Sequence, residues 1–454
     1  MSTSRIGIYS APYLWTTIGA CALVFLNAFE NLAVTTIMPI VSDDLDGARL
    51  YALAFAAPLA VGVIGMVVAG NWSDRAGPTG PLYLSGALFV AGLLVAGTAQ
   101  EMWVLVVGRL VQGLGGGGVT VALYVLVARI YPPDLHHKIF AAFAAAWVVP
   151  SMIGPAIAGV IAQLFSWHWV FLGVVGLVLA AVGMVVPAVR VLASQPVPEN
   201  PQPWAWGRIG WSILAAGAVL ALNLSEQAPD ALAPVIAVGA LVLLVVAVRP
   251  LVPKGTLLAR RGLASVVLSR SLVAAAFFGA EVYIPYLLID EYAFDPSLAG
   301  VALTGAAVSW ATGSWLQGKL GARLRDVMAM RIGALMVLAA VVIAFATAAL
   351  HLAPWIIIAG WVIGGGGMGL MYPRMSSMTL ARSTPASQGF NSSAITIADS
   401  LGAALALATT GLIVAALVDV DGAASFAGVF ALTIVIAAVA LAISGRVEEP
   451  SVSS

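Results

Sequence analysis

The 454-residue chain contains few charged residues and a single cysteine. Asp, Glu, Lys and Arg together make up 9% of it, whereas a soluble domain carries roughly 25%, so a soluble globular protein is excluded. Cys21, the only cysteine, excludes a disulfide within the chain and a cysteine-based metal site. His136 and His137 lie in a predicted loop without a second pair of ligands, and we therefore expect no metal ion and no cofactor. The formal net charge of zero hides a strong sidedness of the charges, and we find no basic patch for nucleic acid.

What the sequence has instead is long apolar runs. Hydrophobic residues make up 61% of the chain, and the mean hydropathy is +1.03. A bilayer core of ~30 Å is crossed by a helix of roughly 20 apolar residues. The sequence therefore predicts an all-α polytopic membrane protein with fourteen transmembrane helices. The predicted spans are 14–39, 50–70, 80–99, 103–128, 139–163, 168–189, 209–225, 232–248, 264–288, 297–318, 328–349, 354–373, 391–416 and 424–444.

The basic residues are concentrated on one side of these spans. Arg75, Arg129 and most other Lys and Arg residues, including Arg5 near the N-terminus, fall in every second gap. In the opposite gaps Arg49 is the only basic residue among many acidic ones. Since loops rich in Lys and Arg stay cytoplasmic, we predict that both termini are cytoplasmic. The scarcity of lysine and the abundance of Ala, Val and Gly favour a bacterial source, and hence the bacterial cytoplasmic (inner) membrane.

The two ends of the chain resemble each other at a nearly constant spacing. Glu30 corresponds to Glu281, and the glycine run 115–118 corresponds to the run 364–367. Two extra apolar stretches between the halves give three predicted regions. These are an N-terminal six-helix bundle (1–190), a linker with two inserted helices (191–250) and a C-terminal six-helix bundle (251–454). Such repeats are typical of secondary transporters, in which the binding site lies near mid-membrane at the repeat interface.

Four short motifs are more specific. Residues Gly70–Gly77 read GNWSDRAG, Arg109–Gly113 read RLVQG, Gly154–Gly159 read GPAIAG, and an acidic first-span motif runs from Phe29 to Pro39. They resemble the motifs G-x-L-A-D-R-x-G, R-x-x-Q-G, G-P-x-x-G-G and L-D-x-T-I-V-N-x-A-L-P of the major facilitator superfamily, in particular of its fourteen-span drug:proton antiporter branch. The resemblance implies two six-helix bundles around a central cavity, with the two inserted helices at the periphery.

The resemblance also implies a latch between helices. Asp74, Arg75 and Gly77 are the residues of this latch, which stabilises the outward-facing state in the family. The alternative is that Asp74 and Arg75 only set the membrane topology by their charge and cap a helix end. The family motif continues with basic residues, whereas here the chain continues with Pro78–Pro81. Any gate that depends on those charges is therefore weaker in this chain or is made elsewhere.

Two of the motifs lie inside predicted spans. Arg109 is the only basic residue that we place deep in a span, away from its ends, and the resemblance gives it a role in a proton relay or in cavity electrostatics. Gly113, which ends the same motif, is assigned to gating. A structural ion pair or a clamp on carbonyl groups is the alternative for Arg109.

Because proline removes a helix hydrogen bond, we expect Gly154-Pro155, with Gly159 one turn later, to bend the fifth span and seal the cytoplasmic leak path. A tolerated kink is the alternative.

Carboxyl groups inside the spans are candidate proton carriers. A charge at a helix centre costs ~2.5–3.5 kcal/mol on insertion scales, and an acid shielded from water favours its protonated form. Glu30 lies deep in the first span, with Asn27 and Asn31 on the same helical face. This face predicts a proton carrier that also touches substrate, and Gln112 is assigned to the same substrate cavity. A glutamate permanently capped by the two amides is the alternative.

Glu281 and Asp399 are the other two candidate proton carriers. Glu281 lies near the middle of the ninth predicted span, beside Phe277 and Phe278. Aromatic rings next to an acid suit a cationic, apolar substrate, whereas packing between helices is the alternative for the two rings. Asp399 is either a second protonation site or the internal partner of an arginine.

Together these features predict a proton-coupled exporter (antiporter) of the multidrug-efflux type, which exchanges protons for amphipathic or cationic organic molecules by alternating access. An exporter of one endogenous lipid or metabolite on the same fold is the close alternative, and the antiporter-like fifth-span motif disfavours a uniporter or symporter. An enzyme is not expected, since we find no paired His/Asp motif and no nucleophile near the interface. We expect a monomer whose partners are a small-molecule substrate, protons and the lipid bilayer.

Overall fold

The computed structural model describes residues 7–47, 50–193, 203–225, 232–294, 296–417 and 422–448. Within these ranges the chain forms helices joined by turns and contains no strand, which confirms the predicted all-α class there. Arg5, Arg49 and part of the predicted linker lie outside the described residues. The α-helices are α1 Leu14–Asp44, α2 Tyr51–Ala76, α3 Thr79–Gly97, α4 Met102–Ile130, α5 Pro133–Leu164, α6 His168–Ala193, α7 Trp206–Leu224, α8 Ala233–Val248, α9 Leu263–Glu281, α10 Tyr283–Asp290, α11 Pro296–Leu320, α12 Asp326–Leu350, α13 Pro354–Ala381, α14 Gln388–Leu417 and α15 Gly422–Ile443.

A sequence this apolar is expected to fold into helices. Inside lipid every backbone N–H and C=O must be bonded within the protein, and a helix achieves this along its own length. Several helices end where glycine takes a backbone conformation that other residues avoid. Gly77 (φ +83°) follows α2, and Gly262 (φ +84°) precedes α9. Gly77 lets the chain pass from α2 to α3 within two residues, and Gly262 turns the chain into the start of α9.

The number of membrane spans differs from the prediction. Each of the fourteen predicted stretches coincides with a helix or helix pair, but eleven described helices are long and apolar enough to cross a membrane, or twelve if a bent pair in α5 is counted as one span. Of the remainder, 206–222 in α7 is a shorter apolar helix, and α11 is rich in Ser, Thr and Gly. The fold is therefore that of a multi-pass membrane protein, and the count of fourteen is not established.

The ninth predicted span, 264–288, is not one continuous helix. It consists of α9 and α10, which meet at Val282, although the two together form a single candidate span of 28 residues, Leu263–Asp290. Glu281 is the last residue of α9. The predicted mid-span acid therefore sits at a helix break, a place where backbone groups lose some of their intrahelical partners.

The described chain separates into two compact units. Unit 1 comprises Met1–Ile139, Val149–Leu251 and Ser383–Thr396, and unit 2 comprises Phe140–Val148, Val252–Arg382 and Ile397–Ser454. The inserted helices α7 and α8 thus belong to unit 1, and α14 contributes residues to both units. The predicted region boundaries 1–190, 191–250 and 251–454 stay a prediction.

In unit 1 the glycine run of α4 is a packing surface. A Cβ atom on Gly117 would lie 2.2 Å from the carbonyl oxygen of Gly62 on α2. A Cβ atom on Gly115 would lie 2.3 Å from the backbone nitrogen of Phe89 on α3. Small residues let membrane helices approach this closely, so α4 packs backbone to backbone between α2 and α3.

Unit 2 uses the corresponding run of α13 in the same way. A Cβ atom on Gly365 would lie 2.2 Å from the carbonyl oxygen of Ala306 on α11, and one on Gly367 would lie 2.6 Å from that of Gly333 on α12. The glycine match that indicated an internal repeat therefore corresponds to one packing device used once in each unit.

We expect Gly117→Ala to destabilise the protein, because its Cβ atom would collide with the α2 backbone. Overpacking of this kind costs roughly 1–3 kcal/mol. Thermal unfolding of the detergent-solubilised protein measures the effect. Gly173→Ala is the matched control, since its Cβ atom meets nothing within 4 Å and alanine raises helix propensity; equal melting temperatures for the two variants would contradict the packing role.

Candidate functional site

The first polar cluster in unit 1 joins Glu30 to Arg109. Arg109 on α4 donates from Nη1 to Oε1 of Glu30 on α1 (3.3 Å) and to Oε1 of Gln112 (2.7 Å). Its Nε donates to the backbone oxygen of Ala54 on α2 (3.4 Å). Glu30 is 1% exposed and Arg109 is 2% exposed. Three helices thus meet at one buried cation, which is held by one carboxylate and two neutral oxygens.

The Glu30 carboxylate is only half satisfied. Its second oxygen, Oε2, is buried and has no hydrogen-bond partner among the described residues. The asparagines on the same face do not supply one: the Asn31 amide donates to the backbone oxygen of Asn27 (2.7 Å), and the Asn27 side chain lies beside Gly116 of α4. An unpaired buried carboxylate oxygen is costly, and the addition of a proton lowers this cost.

Glu281 lies in unit 2 against a cluster of aromatic rings. Phe277 is 1% exposed and stacks on Trp361 with ring centroids 4.5 Å apart. Phe278 lies at right angles to Phe277 and faces Trp310 at 6.1 Å. The buried indole N–H of Trp361 is near the Glu281 carboxyl but falls short of a normal hydrogen bond. Phe277 is therefore a packed core ring, whereas Phe278 is the partly exposed one.

Asp399 is bound by an arginine that the sequence analysis did not identify. Arg270 on α9 donates to Asp399 from Nε (3.0 Å) and Nη2 (3.3 Å). The hydroxyl of Tyr372 donates to the same carboxylate (2.7 Å), and the Arg270 guanidinium lies 3.4 Å from the centroid of the Tyr372 ring. This ion pair agrees with the second predicted role of Asp399, the internal partner of an arginine, and its part in proton exchange stays a prediction. Arg270 is 7% exposed although it lies only seven residues after the start of α9.

Asp74 caps the first turn of α14. Its carboxylate accepts the backbone N–H groups of Gly389 (2.6 Å) and Phe390 (2.8 Å), two of the donors that a helix N-terminus leaves unpaired. The positive end of the helix dipole favours an anion there. A Cβ atom on Gly389 would lie 2.0 Å from the backbone oxygen of Gly70, so α2 and α14 touch through backbone. We call this contact, all of it within unit 1, the Asp74 cap.

Other residues of the Asp74 motif support the cap in different ways. Arg129 on α4 reaches the backbone oxygens of Ser73 (3.4 Å) and Pro385 (3.3 Å). Gly77 ends α2 with its positive φ, and Arg75 is partly exposed. The predicted link between helices is therefore present, and Arg129 joins it from a second helix.

The motif glycines in the spans lie at a packing contact and at a break in a helix. A Cβ atom on Gly113 would lie 2.4 Å from Pro58 of α2. Gly154 lies in the break between two parts of α5, Pro133–Ser151 and Ala156–Leu164, and its role in sealing a leak path stays a prediction. The side chain of Pro155 lies outside the described part, and Gly159 is partly exposed.

Comparison with known proteins identifies the family. A model of the Major Facilitator Superfamily matches residues 20–407. A protein of Mycobacterium tuberculosis (strain ATCC 25618 / H37Rv) with the name "Probable multidrug-efflux transporter" is 33% identical over 217 residues, which cover 48% of this chain and 46% of that protein. "Multidrug resistance protein 3" of Bacillus subtilis (strain 168) is 28% identical over 157 residues, 35% of this chain and 31% of that protein. The matches thus span less than half the length of these relatives.

Solved structures share the fold over nearly the whole chain. The human organic anion transporter superposes with a TM-score of 0.65 at 14% identity and covers 93% of this chain and 99% of that one. A bacterial homologue of the iron transporter ferroportin, in the outward-facing state, superposes with a TM-score of 0.68 at 12% identity and covers 95% and 98%. These relatives are transporters and not enzymes.

We expect Arg109→Met to destabilise the protein by roughly 3–5 kcal/mol, because it leaves the buried Glu30 carboxylate without its cation. Glu30→Gln in the same chain should recover most of that loss, since no buried charge then remains. Thermal unfolding of the single and double variants measures both effects. A double variant that is less stable than Arg109→Met would contradict the pairing.

Proposed function

The chain belongs to the major facilitator superfamily, and we propose that it is a proton-coupled exporter, an antiporter of the multidrug-efflux type that moves amphipathic or cationic organic molecules by alternating access. The observation that carries this proposal is the buried Glu30 carboxylate, with one oxygen on Arg109 and the other without a partner among the described residues. Multidrug-efflux names among the relatives support the class of transport.

Glu30 is the proposed main proton carrier in unit 1. When it is ionised, it forms a neutral pair with Arg109. A proton that binds Oε2 makes the carboxyl group neutral and loosens this pair, while Arg109 keeps the oxygens of Gln112 and Ala54 as acceptors. The cluster therefore gains one positive charge per proton. A charge that crosses the membrane potential carries ~2.3 kcal/mol per 100 mV, which supplies part of the driving force for efflux.

Glu281 is the proposed substrate-facing acid in unit 2. It has no cationic partner within ion-pair distance among the described residues, in contrast to Asp399, which Arg270 neutralises. Phe278, one turn before Glu281, faces Trp310 and offers aromatic surface, and a carboxylate beside such rings attracts an organic cation. Substrate and proton then compete for the same negative charge, so protonation releases the substrate.

The Asp74 cap is the proposed latch of the outward-facing state. A carboxylate on two backbone N–H groups holds α14 against α2 through charge-assisted hydrogen bonds, and these contacts must break when the two helices separate. We place the cap at the cytoplasmic face, with both termini on that side, in the cytoplasmic membrane of a bacterium. With α5, α7 and α11 added to the eleven candidate spans, the proposed protein is a monomeric transporter of the fourteen-span branch.

Transport in proteoliposomes with an imposed pH gradient tests the coupling. With ethidium as the cationic probe, we expect Glu30→Gln and Glu281→Gln each to lower gradient-driven uptake roughly tenfold or more, because an amide at these buried positions can no longer exchange a proton. Glu101→Gln, at an exposed acid before α4, is the control and should transport like the parent chain. Full gradient-driven transport by both buried-acid variants would remove the mechanism.

Labelling of single cysteines tests the orientation. In a Cys21→Ala background, a cysteine at the exposed Arg261 should react with a membrane-impermeant maleimide only after cells are opened, because loops rich in basic residues stay inside. A cysteine at the exposed Glu101 should react in intact cells. The reverse pattern would overturn the assigned sidedness.

A further inference from the structure

The chain segment before α7 is docked on the Asp74 cap. The backbone N–H of Ala205 donates to the side-chain oxygen of Asn71 on α2 (3.3 Å). The Trp204 ring lies 6.5 Å from the ring of Trp72, also on α2, and helix α7 then packs along α2. All of these contacts lie within unit 1. The inserted pair of helices is thus joined to the motif that carries Asp74.

Arg208, in the first turn of α7, reaches the capped helix itself. Its guanidinium carbon lies 3.9 Å from the centroid of the Phe390 ring, and the backbone N–H of Phe390 is one of the two that Asp74 accepts. A flat guanidinium on an aromatic face gains both stacking and cation–π attraction. Arg208 also lies within electrostatic range of the Asp74 carboxylate without forming an ion pair with it.

Arg208 places a positive charge near Asp74, and the loop that follows Asp74 lacks the basic residues of the family motif. The family motif continues with basic residues after its last glycine, whereas this chain has Pro78–Pro81 there. A cation near Asp74 strengthens a carboxylate cap, because the ionised acid is otherwise buried without a full counter-charge. Arg129 also interacts electrostatically with Asp74.

We propose that Arg208 is a positioning residue that reinforces the Asp74 cap, so that the inserted helices supply from outside the motif the positive charge that the loop lacks. The role of the Asp74 cap as a latch rests on the proposed function. The contact between Arg208 and Phe390 is observed in the structure and does not depend on that function. Arg208 holds the Phe390 ring and so keeps the first turn of α14 in reach of the Asp74 carboxylate. The inserted helices α7 and α8 would then take part in alternating access, because Arg208 on α7 helps to hold the Asp74 cap closed.

Hydrogen–deuterium exchange of the full-length protein in lipid nanodiscs tests the proposal. The backbone N–H groups of Gly389 and Phe390 are the ones that the cap protects. We expect Arg208→Gln to speed exchange in a peptide that spans 386–392 by roughly three- to tenfold, the effect of losing a partly desolvated cation–π contact. Arg208→Lys, which keeps the charge, should retain most of the protection.

Two further variants separate a specific effect from a general one. Arg249→Gln removes an exposed arginine at the other end of the inserted pair and should leave the 386–392 peptide unchanged. In an Asp74→Asn background the cap is already weakened, so Arg208→Gln should add less than it does in the parent chain. Exchange in α12, which lies in unit 2, reports on global unfolding and should stay constant.

Equal exchange of the 386–392 peptide in the parent chain and in Arg208→Gln would overturn the proposal. So would an Arg249→Gln effect as large as that of Arg208→Gln, or full additivity with Asp74→Asn. The measurement needs neither a substrate nor a proton gradient. A negative result here therefore leaves proton-coupled export standing, and a failure of the transport assay leaves the role of Arg208 standing.

Discussion

The constraint on which this structure depends is the cost of charge in an apolar interior. Two of the acids inside the helices, Glu30 and Asp399, are placed so that other groups offset this cost, but to different degrees. Asp399 is fully engaged by Arg270 and Tyr372, whereas Glu30 is engaged on one oxygen only. The two acids therefore differ in how completely hydrogen bonds and ion pairs offset the cost of their charge.

Close helix packing provides the frame in which these charges are held. The glycines of α4 bring α2 within backbone contact, and the same helix carries Arg109, which bonds to the Ala54 carbonyl of α2. Without the close approach, that carbonyl would be out of reach of the guanidinium. The same short stretch of α4 therefore specifies both the helix packing and the position of the buried charge. A substitution of one of its glycines also changes the surroundings of Arg109.

The sequence predicted the helices and many of the polar positions, because hydropathy and short motifs are local signals. It also predicted that Asp74 links helices, through the family motif. It did not predict the partners of Asp399, since Arg270 lies 129 positions away in the chain and no periodicity relates the two residues. Arg270 follows the start of α9 by only seven positions, where a basic residue is typical of the end of a span. The break at Val282 was not predicted, because the apolar stretch 264–288 continues across it.

The approach of Gly70 to Gly389 has a thermodynamic consequence. Since this point of contact between α2 and α14 is made by backbone atoms and one carboxylate, its separation uncovers polar groups and almost no hydrocarbon. Exposure of hydrocarbon is what raises heat capacity, whereas exposure of polar groups lowers it slightly. Parting of these backbone atoms and this carboxylate would therefore contribute little to a change in heat capacity, and the rings of Phe390 and Trp72 nearby would supply the main positive contribution.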